Sequence, residues 1–594
     1  MSAKNLGAAS VIETLEPRLA PAGTVILTTV GGVLTITGDV DNNGLRVLDV
    51  PGTGKWSIND ALSGTSFILN GVPQAVLPFL IPAQNAIKAT LGAGNDQIEI
   101  FGSGTPSGMI LSGALTVSGG TGNDTFFLGS SSSQSLQILG AAAIDMGDGN
   151  DLVQTNASVL FGGTTTFKTG AGNDSVTFLT GGQHVFQKGV KIDLGVGSDA
   201  IAVASSRFDV FGGTLSIVGA GLAAAAQTIS IYPDFGTSQG AATVSILAGN
   251  VALKVGTTSL SEFRFGAGLA IATGPGADSV VFNGLVQATG AVLVDMKDGN
   301  DSFSLASSAK VFAASLAAKM GGGDDGVILG ANSILATIGA FTTDLGTGGL
   351  SHFTVSSGHT LTAGSLSIMG GPGEDTIDFA GSMRVFGAAI VDLKDQTNAL
   401  TTAAGTSLNV GSLTFKGGTG SDAVVFSDNS IVQCAGLFSL VLGAGTNDFE
   451  MVAGSFLSAG SLNSTGGVGN DDFTFNGAAF SVLGAMNMNL GTGVNRVDIA
   501  STGYNFIGGA LKLTGTAGND SFYFSSPDSR VLGPVSLNFG DGTNAFDIQG
   551  AKTDFGSSFG YTGGAGLEDC YFGIGKLQIA GAVTIKVGSG TNAV

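Results

Sequence analysis

A short turn recurs along this chain every 24 to 25 residues, almost from end to end. It reads GAGND at 92–96, GTGND at 120–124 and GAGND at 170–174, then GTGSD at 418–422, GVGND at 467–471 and TAGND at 516–520. Aligned on the second glycine or its equivalent, the copies run from position 94 to position 590. That is twenty intervals over 496 residues, a mean period of 24.8. Self-similarity at such a period means one supersecondary unit stacked many times, each unit burying its apolar face against its neighbours. The chain is predicted to be a solenoid.

Composition narrows the kind. Glycine supplies 99 of 594 residues, about 17% against roughly 7% in average proteins. Hydrophobic residues make up 43%, enough for a core and too many for a disordered chain. Glycine does not fall at every third position, which excludes collagen. The net charge of −21 argues against nucleic acid and anionic membrane surfaces as partners. No apolar run approaches the ~18 residues of a membrane-spanning helix; the longest candidate, 75–83, is broken by Pro78 and Pro82. The first 23 residues lack the apolar stretch of an ordinary signal peptide.

One rung can be read residue by residue. After Asp520, residues 521–524 alternate as a strand and 525–529 form a turn rich in Ser, Pro and Asp. Residues 530–532 make a second short strand bent at Gly533, 535–539 a third, and 540–544 the next turn. Three short strands separated by Gly-rich corners predict a coil of a parallel β-helix. The expected fold is all-β: a right-handed parallel β-helix of about 20 coils, 24–25 residues and three strands each, with the hand taken from the general rule for parallel crossovers. Two and four residues after the turn Asp the side chains are apolar and should point inward: Val176 and Phe178, Val280 and Phe282, Ile377 and Phe379, Val424 and Phe426, Phe473 and Phe475, Phe522 and Phe524. Phe426, Phe475 and Phe524 stand 49 residues apart, with Val497 and Ile499 in an intervening coil, so the repeat reads as a pair of coils alternating large and small core residues. The ladder of rings is read as core packing and not as a platform for an aromatic ligand.

The expected organisation is an N-terminal targeting-like segment (1–23), a cap or irregular first coils (24–90, with strand-like alternation at 33–37), and the β-helix (91–594). Around 222–266 the turn residues are lost and the intervals lengthen, which predicts longer corners without a domain boundary. Cys434 and Cys570 are the only cysteines. They fall on inward slots about six coils, or roughly 29 Å, apart, too far for a disulfide, and should be buried thiols. The last residues complete a turn and place Val594 at an inward position. The expectation is an end covered by a second copy or a partner stacking end-on, a contact that would propagate as a filament.

The turn acids are the candidate ligands. Asp96, Asp124, Asp151, Asp174 and Asp199 occupy consecutive coils and, stacked in register, would lie ~5 Å apart. Cations or turn N–H groups could relieve their repulsion, and the alternative role is capping of the turn through its own backbone. In the second half the position alternates as Asp422, Asn447, Asp471, Asn495, Asp520 and Asn544, which separates the charges and lets Asn donate to its neighbours. Residues 119–127, GGTGNDTFF, resemble the nine-residue repeat of RTX-type calcium-binding β-rolls at every fixed position. The resemblance implies calcium held between turns by Asp carboxylates and Gly carbonyls, with Ca²⁺ as cofactor. Here the next copy lies a whole coil away, so the resemblance covers single turns.

A β-helix polysaccharide lyase or hydrolase is the enzymatic alternative. Glu450, Asp498 and Asp547 align on an outward strand position, 48 and 49 residues apart, which places neighbours ~10 Å from each other, near the upper limit for an inverting carboxylate pair. They form a regular series without loops around any one coil, and an acidic stripe that keeps a rod soluble accounts for them. His184, His352 and His359 show no ligand spacing, and the motifs HExxH and the P-loop are absent. The expectation is a protein without enzymatic activity.

Residues 12–23, IETLEPRLAPAG, with the core Leu15-Glu16-Pro17-Arg18-Leu19, resemble the short LEPR-type N-terminal segment of large secreted or surface repeat proteins of planctomycete bacteria. The resemblance implies an extracellular or cell-surface location. Together these readings describe a structural or adhesive surface solenoid, with itself, another surface protein or a polysaccharide as partner, and a calcium-dependent binding module as a further alternative.

Overall fold

A computed structural model describes residues 23–104, 108–220, 225–256, 261–573, 575–590 and 592–593. The LEPR-like core and Val594 lie outside the described residues. Within them the chain is all-β and contains no helix.

The period-two alternation of short apolar runs makes half-buried strands, and the Gly-rich corners turn the chain so that each strand lies over its equivalent one coil earlier. The result is three ladders of parallel strands wound around one core. The first ladder follows the turn acid and holds twenty strands from Gln97–Phe101 to Glu568–Phe572. Its register is in phase with the repeat: Phe126 sits over Val153, Val153 over Val176, and Val176 over Ile201. The second ladder begins at Met109–Leu111 and ends at Lys576–Ile579. The third runs from Ala86–Ala93 to Val583–Lys586. The predicted inward pairs, from Val176 and Phe178 to Phe522 and Phe524, are all at most 2% exposed.

The large–small alternation read from the sequence holds in the column four residues after the turn, where Met451 separates Phe426 from Phe475 and Ile499 separates Phe475 from Phe524. It does not hold in the column two residues after the turn, where Phe449 lies on Phe473. Phe449 lies between Phe426 and Phe475, with centroids 5.6 and 5.0 Å away, and Phe438 reaches in from the third face to 5.9 Å from Phe449. Volume is balanced across three faces rather than along one, and rings pack edge-on or tilted.

Three strands per coil also needs amending for one stretch. In the coils containing Ser382–Asp392, Ser407–Lys416, Ile431–Gly443 and Phe456–Gly466, the second and third strands fuse into one bent strand with a register shift at the corner. Each of these corners carries a glycine, such as Gly411 or Gly460, whose added Cβ would meet carbonyl oxygens of the coil before at 2.6 and 2.4 Å. Such a corner bends as a bulge without breaking the ladder. Through the irregular region the first ladder continues: Ala200–Val203 pairs with Ala226–Ile231, which pairs with Asn250–Val255 and then Ser279–Phe282.

At the N-terminal end the strands change direction. Val33–Thr37 lies parallel on Ala86–Ala93 and antiparallel to Thr24–Val30, while Gly44–Val50 lies parallel on Gln97–Phe101 and antiparallel to Lys55–Asn59. Trp56 on Lys55–Asn59 and Phe67 on Ser66–Leu69, a strand parallel to Thr24–Val30, are buried at this end. The outermost strands, Val72–Gln74 and Phe79–Pro82, contain Pro73 and Pro82, which cannot donate to a further strand. Cys434 and Cys570 are buried free thiols, 3% and 5% exposed. Cys434 fills the column of Val410 and Ala459, and Cys570 that of Phe546.

Candidate functional site

The corner between the third and first faces carries the recurring turn, and two side-chain ladders of opposite polarity run through it. The inner ladder is built on the turn acids. The backbone N–H of Asp96 donates to Oδ1 of Asp124 at 2.8 Å, that of Asp124 to Asp151 at 2.7 Å, that of Asp151 to Asp174 at 2.8 Å, and that of Asp174 to Asp199 at 2.9 Å. The same bond recurs from Asp278 to Asp301 and from Asp301 to Asp325. The outer ladder uses the Asn one residue earlier and points the other way: Asn123 N–H donates back to Asn95 Oδ1, Asn150 to Asn123, and Asn173 to Asn150, each at 2.7 Å. Each regular turn thus presents two backbone donors, one answered from the coil above and one from the coil below.

The turn acids point inward and are 1–2% exposed from Asp96 to Asp199. The relief that sequence reasoning offered through turn N–H groups is present, and it comes from the neighbouring coil rather than the acid's own turn. In the second half Asn supplies a second kind of bond. Asn447 Nδ2 donates to Asp471 Oδ1 at 2.7 Å and Asn495 Nδ2 to Asp520 Oδ1 at 2.8 Å, while Asp471 N–H donates to Asn495 Oδ1 at 3.0 Å.

Each inner carboxylate keeps a second oxygen. Oδ2 of Asp96, Asp124, Asp151 and Asp174 is buried with no hydrogen-bond partner, whereas Asp199 Oδ2 accepts from Gln227 Nε2 at 2.9 Å. Burial therefore dominates the electrostatics. It pushes Asp124 and Asp301 up to about 7, and Asp96, Asp151, Asp325, Asp471 and Asp520 up to about 6, against the lowering effect of the backbone bonds. Burial likewise raises Asp174 and Asp199.

A feature of these turns that the sequence reading missed is the residue five positions before the acid. It is Gly before Asp375, Asp422, Asp471 and Asp520, and Leu or Phe before Asn398, Asn447, Asn495 and Asn544. A Cβ on Gly417, Gly466 or Gly515 would lie 1.7–2.0 Å from Oδ2 of its own turn acid. In the Asn coils Leu393, Leu442, Leu490 and Phe539 take that space and are fully buried. From residue 370 onward the signal was available as a covariation between two positions of the repeat; in the first half Leu91, Met146 and Leu194 precede Asp96, Asp151 and Asp199.

The five predicted ligands share one column but do not converge: among the described residues no group of three or more His, Cys, Asp or Glu side chains gathers as a metal ion requires. Glu450, Asp498 and Asp547 do align, separated by Thr474 and Tyr523 in the intervening coils, and Arg496 holds Asp498 at 2.7 Å. His184 and His359 are buried singly, His184 Nε2 lying 2.8 Å from Thr155 Oγ1 and His359 Nδ1 2.6 Å from Ser333 Oγ; burial lowers them to about 3 and about 4. Comparison with known proteins adds no relative: no family model, curated protein or solved structure matches this chain.

Proposed function

We propose that this protein is a non-enzymatic structural or adhesive rod of the bacterial cell surface, acting as a spacer or assembly unit. The observation that carries the reading is the uniformity of the stack: twenty equivalent strands on the first face, from Gln97–Phe101 to Glu568–Phe572, in a continuous parallel ladder. Such a shape spans distance and offers repeated side chains, which is what a spacer needs. The surface location rests on the resemblance of residues 12–23 to LEPR-type segments. An end-on partner, whether itself or another surface protein, has a poor template in Pro73 and Pro82 at the N-terminal edge. Electron microscopy of the purified chain should show straight rods on the order of 100 Å long, from coils stacked at ~4.8 Å. Globular particles would sink the reading.

A calcium-dependent module is the second reading, favoured by the four unpartnered buried Oδ2 atoms in successive coils from Asp96 to Asp174. An ion there would use those oxygens, since each Oδ1 is already bonded to a turn N–H. Calorimetric titration with CaCl₂ decides it. Uptake lost in Asp124→Asn/Asp151→Asn and kept in Asp471→Asn/Asp520→Asn supports the module; no heat of binding removes it.

A further inference from the structure

The second face carries a feature that the rod reading does not use. Its outward column runs Thr237, Arg264, Gln287, Phe312, Ala336, Thr362 and Arg384, one residue per rung in unbroken register. It continues as Asn409, Gln433, Ser458, Ser481, Phe506 and Arg530, so no acid interrupts it between Thr237 and Arg530; the next residue of the column is Asp554. The same molecule, at net −21, sets Asp378, Glu450, Asp498 and Asp547 on the outward column of the first face and Asp295, Asp344 and Asp392 on that of the third. The stretch of this column from Thr237 to Arg530 therefore holds no carboxylate, whereas the other two outward columns hold several.

The column borders a furrow that crosses the strands and follows the rod axis. Two hollows of about 410 and 760 Å³ join end to end, with Gln287 and Thr289 lining both. Large apolar groups stand exposed along it, Ile338 at 89%, Phe386 at 62% and Phe312 at 37%, more than an isolated surface residue needs explaining.

The cations of the furrow are held ready. Arg207 is fixed through Nε by Asp209, a carboxylate with no exposed surface that also accepts from Thr237 Oγ1 at 2.7 Å, and its guanidinium lies over the Phe235 ring. Arg264 is fixed through Nε by Glu262 in the same way. In both, the acid binds Nε, and about half of the side chain stays exposed to solvent. Arg384 follows Thr362 in the column at the end of the furrow, has no ion-pair partner among the described residues, and lies 4.8 Å over Phe386, which lines the furrow. Preorganised guanidinium groups bind carboxylate or sulfate oxygens at little entropic cost.

The occupant follows from what this surface lacks. The strands of the face are hydrogen-bonded on both sides, so it offers no edge to an added peptide strand. A partner lying along the axis meets, rung after rung, hydroxyl, guanidinium, amide and aromatic groups. That sequence suits a ligand with apolar ring faces, many hydroxyls and intermittent negative charge. We propose that the second face, from Arg207 to Arg384, binds a linear anionic polysaccharide laid along the solenoid axis.

Native gels cast with alginate, dextran sulfate or neutral dextran test this on the full chain. The two acidic polymers should retard the protein despite its own negative charge, neutral dextran should not, and the retardation should fall as salt rises. Arg264→Gln/Arg384→Gln/Phe312→Ala should weaken the apparent affinity at least about tenfold, the usual loss for a charge-assisted bond. All three are outward residues, and an unchanged melting curve confirms that the variant folds. Lys168→Gln/Lys191→Gln, on the third face, should bind as the parent does. Absence of retardation in both acidic polymers, equal retardation in neutral dextran, or equal weakening in the third-face variant would each overturn the proposal. The rod reading does not depend on the result, because particle shape is measured separately.

Discussion

Gly466 shows how closely one residue can be specified by its neighbours. A methyl group there would lie 2.0 Å from Asp471 Oδ2 and 2.8 Å from the Leu490 carbonyl of the next coil. Both residues are buried, and Asn447 Nδ2 holds the acid through its Oδ1. Nothing on either side can swing away, so Gly466→Ala should cost about 1–3 kcal/mol, the range for overpacking a tight core. Gly560 is the control: it faces out of the third ladder, and its added Cβ would meet only Val535 O at 3.8 Å. Thermal melts with hydrogen exchange at residues 460–475 should show local loosening in Gly466→Ala and none in Gly560→Ala. Equal behaviour of the two variants would show that the close contact carries no energetic weight.

At the scale of the strand and turn, much of the architecture was legible because one period governs it. The turn at 516–520 fixes where each coil starts, and counting two and four residues on finds Phe522 and Phe524 in the core. The inward slot expected for Cys434 is likewise the one it takes, in the column of Val385, Val410, Ala459 and Val482. Counting failed where burial depends on the neighbouring coil. An Asp flanked by Gly and Asn looks like a solvated turn residue, and only the stacked geometry shows its Oδ1 bonded to the coil beneath and its Oδ2 sealed from water. The furrow was illegible for a related reason. Arg264 and Arg384 are 120 positions apart in sequence and share a column only once the register is known. Fused strands such as Ile431–Gly443 escaped because a corner glycine permits a break without requiring one.

For the whole molecule, the buried acids set how the rod responds to pH. Burial makes the protonated form of each inner Asp the better-tolerated one in the fold, raising it from the ordinary ~3.9 to about 6 or 7 at Asp96, Asp124, Asp151 and Asp301. The folded chain then binds more protons than the unfolded chain between those limits, so stability from these groups is complete below about pH 4 and is lost as pH rises through 6 to 7. Self-repulsion of a chain at net −21 acts in the same direction above neutrality. The melting temperature should therefore be higher at pH 5 than at pH 8, the reverse of a protein held by ionised surface pairs. Asp124→Asn/Asp301→Asn separates the two causes. Asn keeps the Oδ1 acceptor for the turn N–H, as Asn447 and Asn495 do in their own coils, and removes the charge that burial penalises. The variant should melt higher than the parent at pH 8, match it near pH 4, and show a flatter dependence between. A parent whose melting temperature climbs from pH 5 to pH 8, or a variant with the parent's slope, would mean that the inner ladder is ionised in the folded rod and that its unpartnered oxygens are stabilised by something other than a proton.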